Sequence, residues 1–305
     1  MADHSDLPPP NAVPSLNRLL LLGADEFPPL SATARAEFAV RTRNGGSQPV
    51  NEDHHLVTRL ARSHETLFTS LPAELVPRFD EYAYAMVVAD GMGTSGELAS
   101  RLAIVALVEL ALRFGEWRLR VEDGIARDII DKINMFYRQI DSALVHANRS
   151  AGTAPLHTTL TAAVSAGRDL FFAHVGHSRA YLLRDDDLIQ LTRDHTHMVR
   201  KDAARAPLVD LTGAASDRHH ILTDALGAGV VDPQIDIERL TLANRDTVML
   251  CTNGLTDAIG DKTIAEVLGS KQPVDAQAAT LISLAEQAAA ADDVTVVLAR
   301  YHVPE

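Results

Sequence analysis

Acids and one amide stand where apolar runs of this chain begin or end: Glu52-Asp53, Asp90-Gly91, Asn253-Gly254, and Asp292-Asp293 just before Val294. A single acid at such a place is ordinarily a turn former or a helix cap. Several converging at one edge of a sandwich make a different object. Hard divalent cations such as Mg²⁺ and Mn²⁺ take oxygen ligands, and two of them about 3.5–4 Å apart share a bridging carboxylate. A glycine after a ligand lets the backbone approach the ion and offers its own carbonyl. Two-metal sites hydrolyse phosphate esters by activating a water and clamping the attacking and leaving oxygens.

The other reactive side chains have plainer readings. His54-His55, His174, His195-Thr196-His197 and His219-His220 lack the flanking acid of a His-Glu-x-x-His helix, and read as exposed or packed imidazoles. Cys251 lies inside an apolar run with no adjacent base, and reads as core. Thr158-Thr159 is internal to the chain, so it lacks the amine that an N-terminal threonine hydrolase uses.

Elements must position these groups. Residues 1–33 are Pro-rich and aperiodic, and are expected to form a flexible N-terminal extension ahead of a domain over 34–305. Phe38–Val40 starts a strand-like run, Asn44-Gly45-Gly46-Ser47 makes a turn, and Ala85–Ala89 reads as a buried strand ending at Asp90. Between them, 63–82 is polar with two prolines and reads as a surface insertion. Gly96–Phe114, dense in Ala, Leu and Val, is expected to be a largely buried helix. Ile125, Ile129, Ile133, Phe136, Ile140 and Leu144 form one face of a long amphipathic helix.

After His157 the period becomes that of strands: Thr158–Ala166, Leu170–Val175, Arg179–Leu183 and Leu188–Leu191, with Arg184–Asp187 as a turn. Asp194–His220 reads as a loop or short helix. Thr247–Thr252 and Val294–Tyr301 are further strands, with an Ala-rich helix at about Val274–Ala290 between them. Strands in runs and helices in runs argue for a layered α+β domain.

Composition narrows the function classes. With 28 Lys+Arg against 41 Asp+Glu the net charge is -13, which disfavours nucleic acid and anionic membranes. One cysteine among 305 residues forms no internal bridge, and the apolar run Leu19–Leu22 is too short for a bilayer span or a signal-peptide core. A cytoplasmic protein is expected.

Eight pieces in order give the chain a family resemblance. They are Val50–Asp53; Val88–Gly93 followed by Gly96–Ser100; His157–Leu160; Ala173–Leu182; Leu191–Thr196; Leu222–Gly227; Leu250–Asp257; and Asp292–Val297. Together they resemble the bacterial metal-dependent serine/threonine protein phosphatases of type 2C (PPM). The resemblance implies a four-layer α/β/β/α sandwich of two antiparallel sheets flanked by helices, with a binuclear Mn²⁺ or Mg²⁺ site at one end. By position, Asp90 resembles the carboxylate bridging both ions and Gly91 the carbonyl ligand of the second. Glu52 resembles the second ion's acidic ligand, Asp53 the holder of ordered waters, and Asp292 a terminal ligand of the first ion.

Three positions depart from the family pattern. Asn253 stands where the family has Asp, so one unit of negative charge is missing from the first ion's ligands. His177 replaces the Asp that serves a weaker third ion; imidazole is a poor ligand for Mg²⁺ but acceptable for Mn²⁺, Fe²⁺ or Zn²⁺. Gln48 stands where an Arg usually grips the substrate phosphate, with Arg41 or Arg43 as substitutes close in sequence. The resemblance therefore implies a signalling hydrolase acting on phosphoserine and phosphothreonine. Two alternatives stand beside it: a pseudophosphatase that binds a phosphoprotein or partner without turnover, and a phosphatase retuned to Mn²⁺. A phosphoprotein, a serine/threonine kinase or the kinase's targets are the implied partners, and the chain is expected to be a monomer.

Overall fold

A computed structural model describes residues 34–46, 49–72, 76, 79–115, 123–150, 155–200 and 218–304. The N-terminal extension and Gln48 lie outside the described residues. Aliphatic and β-branched runs form two antiparallel sheets. The first has the order β1 (Arg35–Arg43), β13 (Val294–His302), β12 (Thr247–Cys251), β7 (Arg179–Arg184) and β8 (Asp187–Gln190). The second has the order β11 (Asp236–Thr241), β6 (Asp169–Val175), β5 (Leu160–Ala166), β3 (Phe79–Met92) and β2 (Asp53–His64), with β4 (His157–Thr158) pairing the end of β3.

The sheets stack on each other through Met86, Val88, Leu170, Leu182, Leu250, Val297 and Tyr301. Helices α1 (Gly96–Phe114) and α2 (Asp123–Ser150) cover the second sheet, and Tyr137 and Ile140 bury themselves there against Val87 and Leu160. Helices α3 (Asn253–Ala258), α4 (Asp261–Leu268) and α5 (Val274–Gln287) cover the first, with Ile264 and Leu281 on Met249 and Leu298. The result is the expected α/β/β/α order. Each apolar strand face is thereby removed from water, which is why β12 and the body of β13 read as continuous hydrophobic runs rather than alternating ones.

The turn at Arg184–Asp187 holds Asp185 and Asp186 at φ 50° and 68°, the paired left-handed residues of a tight hairpin. Several boundaries differ from those read in the sequence. Helix α1 is not largely buried: Leu98, Leu102, Val105, Leu112 and Phe114 are exposed. It is an outer-layer helix with one face on the sheet, and an Ala/Leu-rich composition does not reveal how many faces are covered. Most of the ends of 63–82 belong to a long hairpin, with β2 running to His64 and β3 starting at Phe79. Within Asp194–His220 the described residues form a two-stranded ribbon, β9 (Thr196–Arg200) with β10 (Arg218–Leu222).

Candidate functional site

The strand register brings the acids to one end of the sandwich. Asp53 opens β2 and Asp90 lies near the end of β3, and the two are directly paired across the hairpin. Like charges opposite each other are unfavourable, so this pair must either keep a proton or face a compensating positive charge. On the first sheet, β12 ends at Cys251 and β13 begins at Val294, antiparallel neighbours that place Thr252, Asn253, Asp292 and Asp293 at the same end. Thr252 joins the sheets: its hydroxyl donates to Asp53 Oδ2 at 2.8 Å and accepts from the Thr295 N–H at 2.9 Å.

Backbone contacts fix the remaining groups. The Asp90 N–H donates to Thr159 Oγ1 at 3.0 Å, and its carbonyl accepts from the Thr158 hydroxyl at 2.9 Å. Asp293 accepts from the Gly45 N–H at 2.8 Å and the Glu52 N–H at 2.6 Å, clamping the turn after β1 to the entry of β2. A Cβ on Gly91 would lie 1.9 Å from the Gly96 carbonyl oxygen, and one on Gly96 would lie 2.7 Å from Glu52 Oε1. Only two glycines allow the end of β3, the start of α1 and the Glu52 carboxylate to meet.

The electrostatics are those of crowded acids. Burial, then repulsion from Asp293 and Asp292, pushes Glu52 up to about 7 against the pull of the Gly96 and Glu97 amides at the α1 N-terminus. Burial raises Asp53 to about 7 although Thr252 and Thr295 oppose it. Asp90 is held well above the usual carboxylate range by burial and by Asp53, and Asp292 is raised as well, by burial first. His177 goes the other way: burial lowers it to about 4, so its imidazole is neutral at physiological pH.

Four polar atoms here are buried without a hydrogen-bond partner: Asp53 Oδ1, Asn253 Oδ1 and both ring nitrogens of His177. An unpaired buried polar atom costs about 1–3 kcal/mol. Four carboxylates of raised pKa together with orphaned oxygen acceptors fit a cation, which would take their lone pairs and displace their protons. Among the described residues, no three His, Cys, Asp or Glu side chains already close around one metal position. Uncompensated carboxylates repel in a low-dielectric site, and the donors here include an amide.

The expected residues do not all share the site. Glu52, Asp53, Asp90, Gly91, His177, Asn253 and Asp292 are brought to the one end of the sandwich. Arg43 is not among them: its guanidinium donates to Glu286 Oε1 at 3.0 Å and to the Ala290 carbonyl at 3.4 Å, on and beyond α5. Arg41 is likewise bound to Asp275 at 2.6 Å. Both guanidiniums are engaged by acids of α5, so neither arginine takes the place of a phosphate-gripping one. Sequence reasoning missed the parts played by Thr252 and Asp293. The second acid of the Asp292-Asp293 doublet was the available signal.

The comparisons agree with this architecture. A family model described as protein phosphatase 2C matches residues 75–298. The serine/threonine protein phosphatase PstP of Mycobacterium tuberculosis is 32% identical over 220 residues, 71% of this chain, which spans 40% of that protein's length. The serine/threonine phosphatase Stp of Listeria innocua is 28% identical over 218 residues, 70% of this chain and 82% of that protein. Among solved structures, M. tuberculosis PstP aligns over 87% of this chain and 98% of its own, at TM-score 0.61 and 28% identity. A PstP catalytic domain in complex with two manganese ions aligns over 88% of this chain and 100% of its own, at TM-score 0.60 and 26% identity. A match over most of the length, on a fold that sets the acids side by side, means that this chain belongs to the protein phosphatase 2C family.

Proposed function

We propose that this chain is a divalent-cation-dependent protein phosphatase acting on phosphoserine and phosphothreonine. The observation that carries this reading is the direct pairing of Asp53 with Asp90 beneath orphaned buried acceptors. Asp90, Glu52, Asp292, the Asn253 amide oxygen and the Gly91 carbonyl would hold two cations, Mn²⁺ or Mg²⁺. When bound, such a pair supplies a nucleophilic water and neutralises the phosphoryl oxygens in an in-line displacement. Asp53 contributes from the chain's own side. One of its oxygens is fixed by Thr252 and the other, without a hydrogen-bond partner, is left to hold a water and, when ionised, to accept that water's proton. The substrate class is a phosphoprotein, as for the relatives, and a serine/threonine kinase is the natural source of it.

The test is hydrolysis of a phosphothreonine peptide by the full chain with Mn²⁺, with Mg²⁺ and with excess chelator. Cation-dependent turnover that disappears in Asp90→Ala is the expected result. No turnover from demonstrably folded protein with either ion overturns the reading.

A second reading has its own observation. The Asn253 amide donates at 3.2 Å to Asp257 and 3.4 Å to Asp292, so it takes up an acid that would otherwise face a cation. It supports the reading of a pseudophosphatase that would bind a phosphoprotein without turnover. Asn253→Asp separates the two: a large gain in turnover identifies a weakened catalyst, and none identifies a binding module.

A further inference from the structure

Helix α1 has a second apolar side. Its sheet-facing side is spent on the core through Ala99, Ala103 and Ile104. On the opposite side Leu98, Leu102, Val105 and Leu112 are 37–59% exposed. With Glu109 these residues step along the helix by four, three, four and three, the spacing of a seam that packs against another helix. Single exposed aliphatics are ordinary, but four in one register over about 21 Å of helix form a continuous strip.

An ion pair lies at each end of the strip. Arg101 reaches back to Glu97 at 2.9 Å, and Arg113 reaches back to Glu109 at 2.8 Å. The two pairs are placed symmetrically about Val105: Arg101 and Glu109 are four residues from it on either side, and Glu97 and Arg113 are eight. A second α1 laid antiparallel, with a two-fold axis at Val105, brings Glu109 level with the copy's Arg101 and Arg113 level with the copy's Glu97. Leu98 then lies level with the copy's Leu112, seven residues from Val105 on either side. A parallel pair sets acid level with acid instead. Glu109 carries the most weight, because a carboxylate in an apolar seam needs a cation from the facing helix, and a polar group placed there fixes orientation and register.

We infer that two copies of this chain associate through antiparallel α1 helices about Val105, rather than remaining the expected monomer. The apolar strip closes on itself, and each end gathers Glu97 and Arg101 of one copy with Glu109 and Arg113 of the other. The contact is self-complementary, as a two-fold interface requires. A foreign helix or another segment of the same chain would not call for charges mirrored about a single residue. One helix face per copy is a small interface, so the dimer forms in a concentration-dependent way.

Sedimentation equilibrium on the full chain, from micromolar to near-millimolar concentration, tests this. Native protein is expected to be a monomer–dimer mixture. Val105→Glu sets two carboxylates together on the axis and is expected to weaken the dimer by about tenfold or more. Exchanging one pair, Glu109→Arg with Arg113→Glu, keeps the net charge and an i,i+4 pair within the helix but puts like charges level, and is expected to weaken the dimer to a similar extent. Adding Glu97→Arg with Arg101→Glu makes the charges complementary again and is expected to restore it. Circular dichroism checks that each variant is folded. Native protein that stays monomeric throughout the range overturns the inference. So does a dimer of unchanged strength in the single exchange, or one that folded double-exchange protein does not recover.

Discussion

Asp53→Asn tests the electrostatic account of the site without any substrate. The folded protein keeps the Asp53 proton up to about pH 7, whereas an unburied carboxyl releases it near 3.8. Below 3.8 the group therefore costs nothing. The cost grows between the two values and is complete above 7, so the chelated protein loses stability as pH rises through that window. At about 1.4 kcal/mol per pH unit the whole cost at pH 8 is roughly 4 kcal/mol, part of it shared with Asp90 opposite. An asparagine keeps the oxygen that accepts from Thr252 and turns an amide toward Asp90. With excess chelator at pH 8 the variant should melt roughly 10 °C above the native protein, and at pH 4 the two should nearly coincide. Mn²⁺ should then raise the native melting temperature and do much less for the variant. Equal melting at pH 8, or a native protein that melts higher without metal, refutes the claim that these carboxylates are held together against their own repulsion.

Two further perturbations probe the frame around the site. Gly91→Ala puts a methyl group into the Gly96 carbonyl, backbone against backbone, and should cost about 2–3 kcal/mol in urea unfolding while weakening cation-induced stabilisation. Retention of both would mean that β3 and α1 separate easily. His174 is fully buried and neutral, lowered to about 3 by burial first, so the unfolded chain takes up a proton near pH 6.5 that the folded one refuses. Its contribution is complete above 6.5 and is lost as pH falls toward 3. Against a non-titrating His174→Gln, native protein should lose about 2 kcal/mol more between pH 7 and pH 5, and parallel pH profiles would contradict this.

The layers were legible because strands buried on both faces leave unbroken apolar runs, as in Thr247–Cys251 and Val294–Ala299, and because α2 carries a one-sided stripe from Ile125 to Leu144. Strand β11 and the short helices were not. Strand β11 is Asp-Ile-Glu-Arg-Leu-Thr, mostly polar as an edge strand that pairs only with β6, and α3 and α4 are too short to establish a period. Site acids were visible from their place at strand ends, but which of two adjacent acids faces the site is a matter of register. Asp292 and Asp293 look alike in sequence, yet the second spends its oxygens on Gly45 and Glu52. Arg43 misled for the same reason: one step along β1 decides whether a side chain meets α5 or the space between the sheets.

Strand order also carries a timetable. Among the described strands β1 is the earliest to be synthesised, and its sheet partner is β13, the last. Their pairing spans more than 250 residues, so as the polypeptide leaves the ribosome β1 has an open edge until β13 has emerged. Asp292 and Asp293 stand immediately before β13, while Asp53 and Asp90 already face each other in a hairpin made much earlier. The β2–β3 hairpin thus precedes Asp293 in the chain by about 200 residues, and the turn that Asp293 clamps can settle only when β13 slots in beside β1. Closure of the first sheet and completion of the acidic cluster are one event, and both wait for β13.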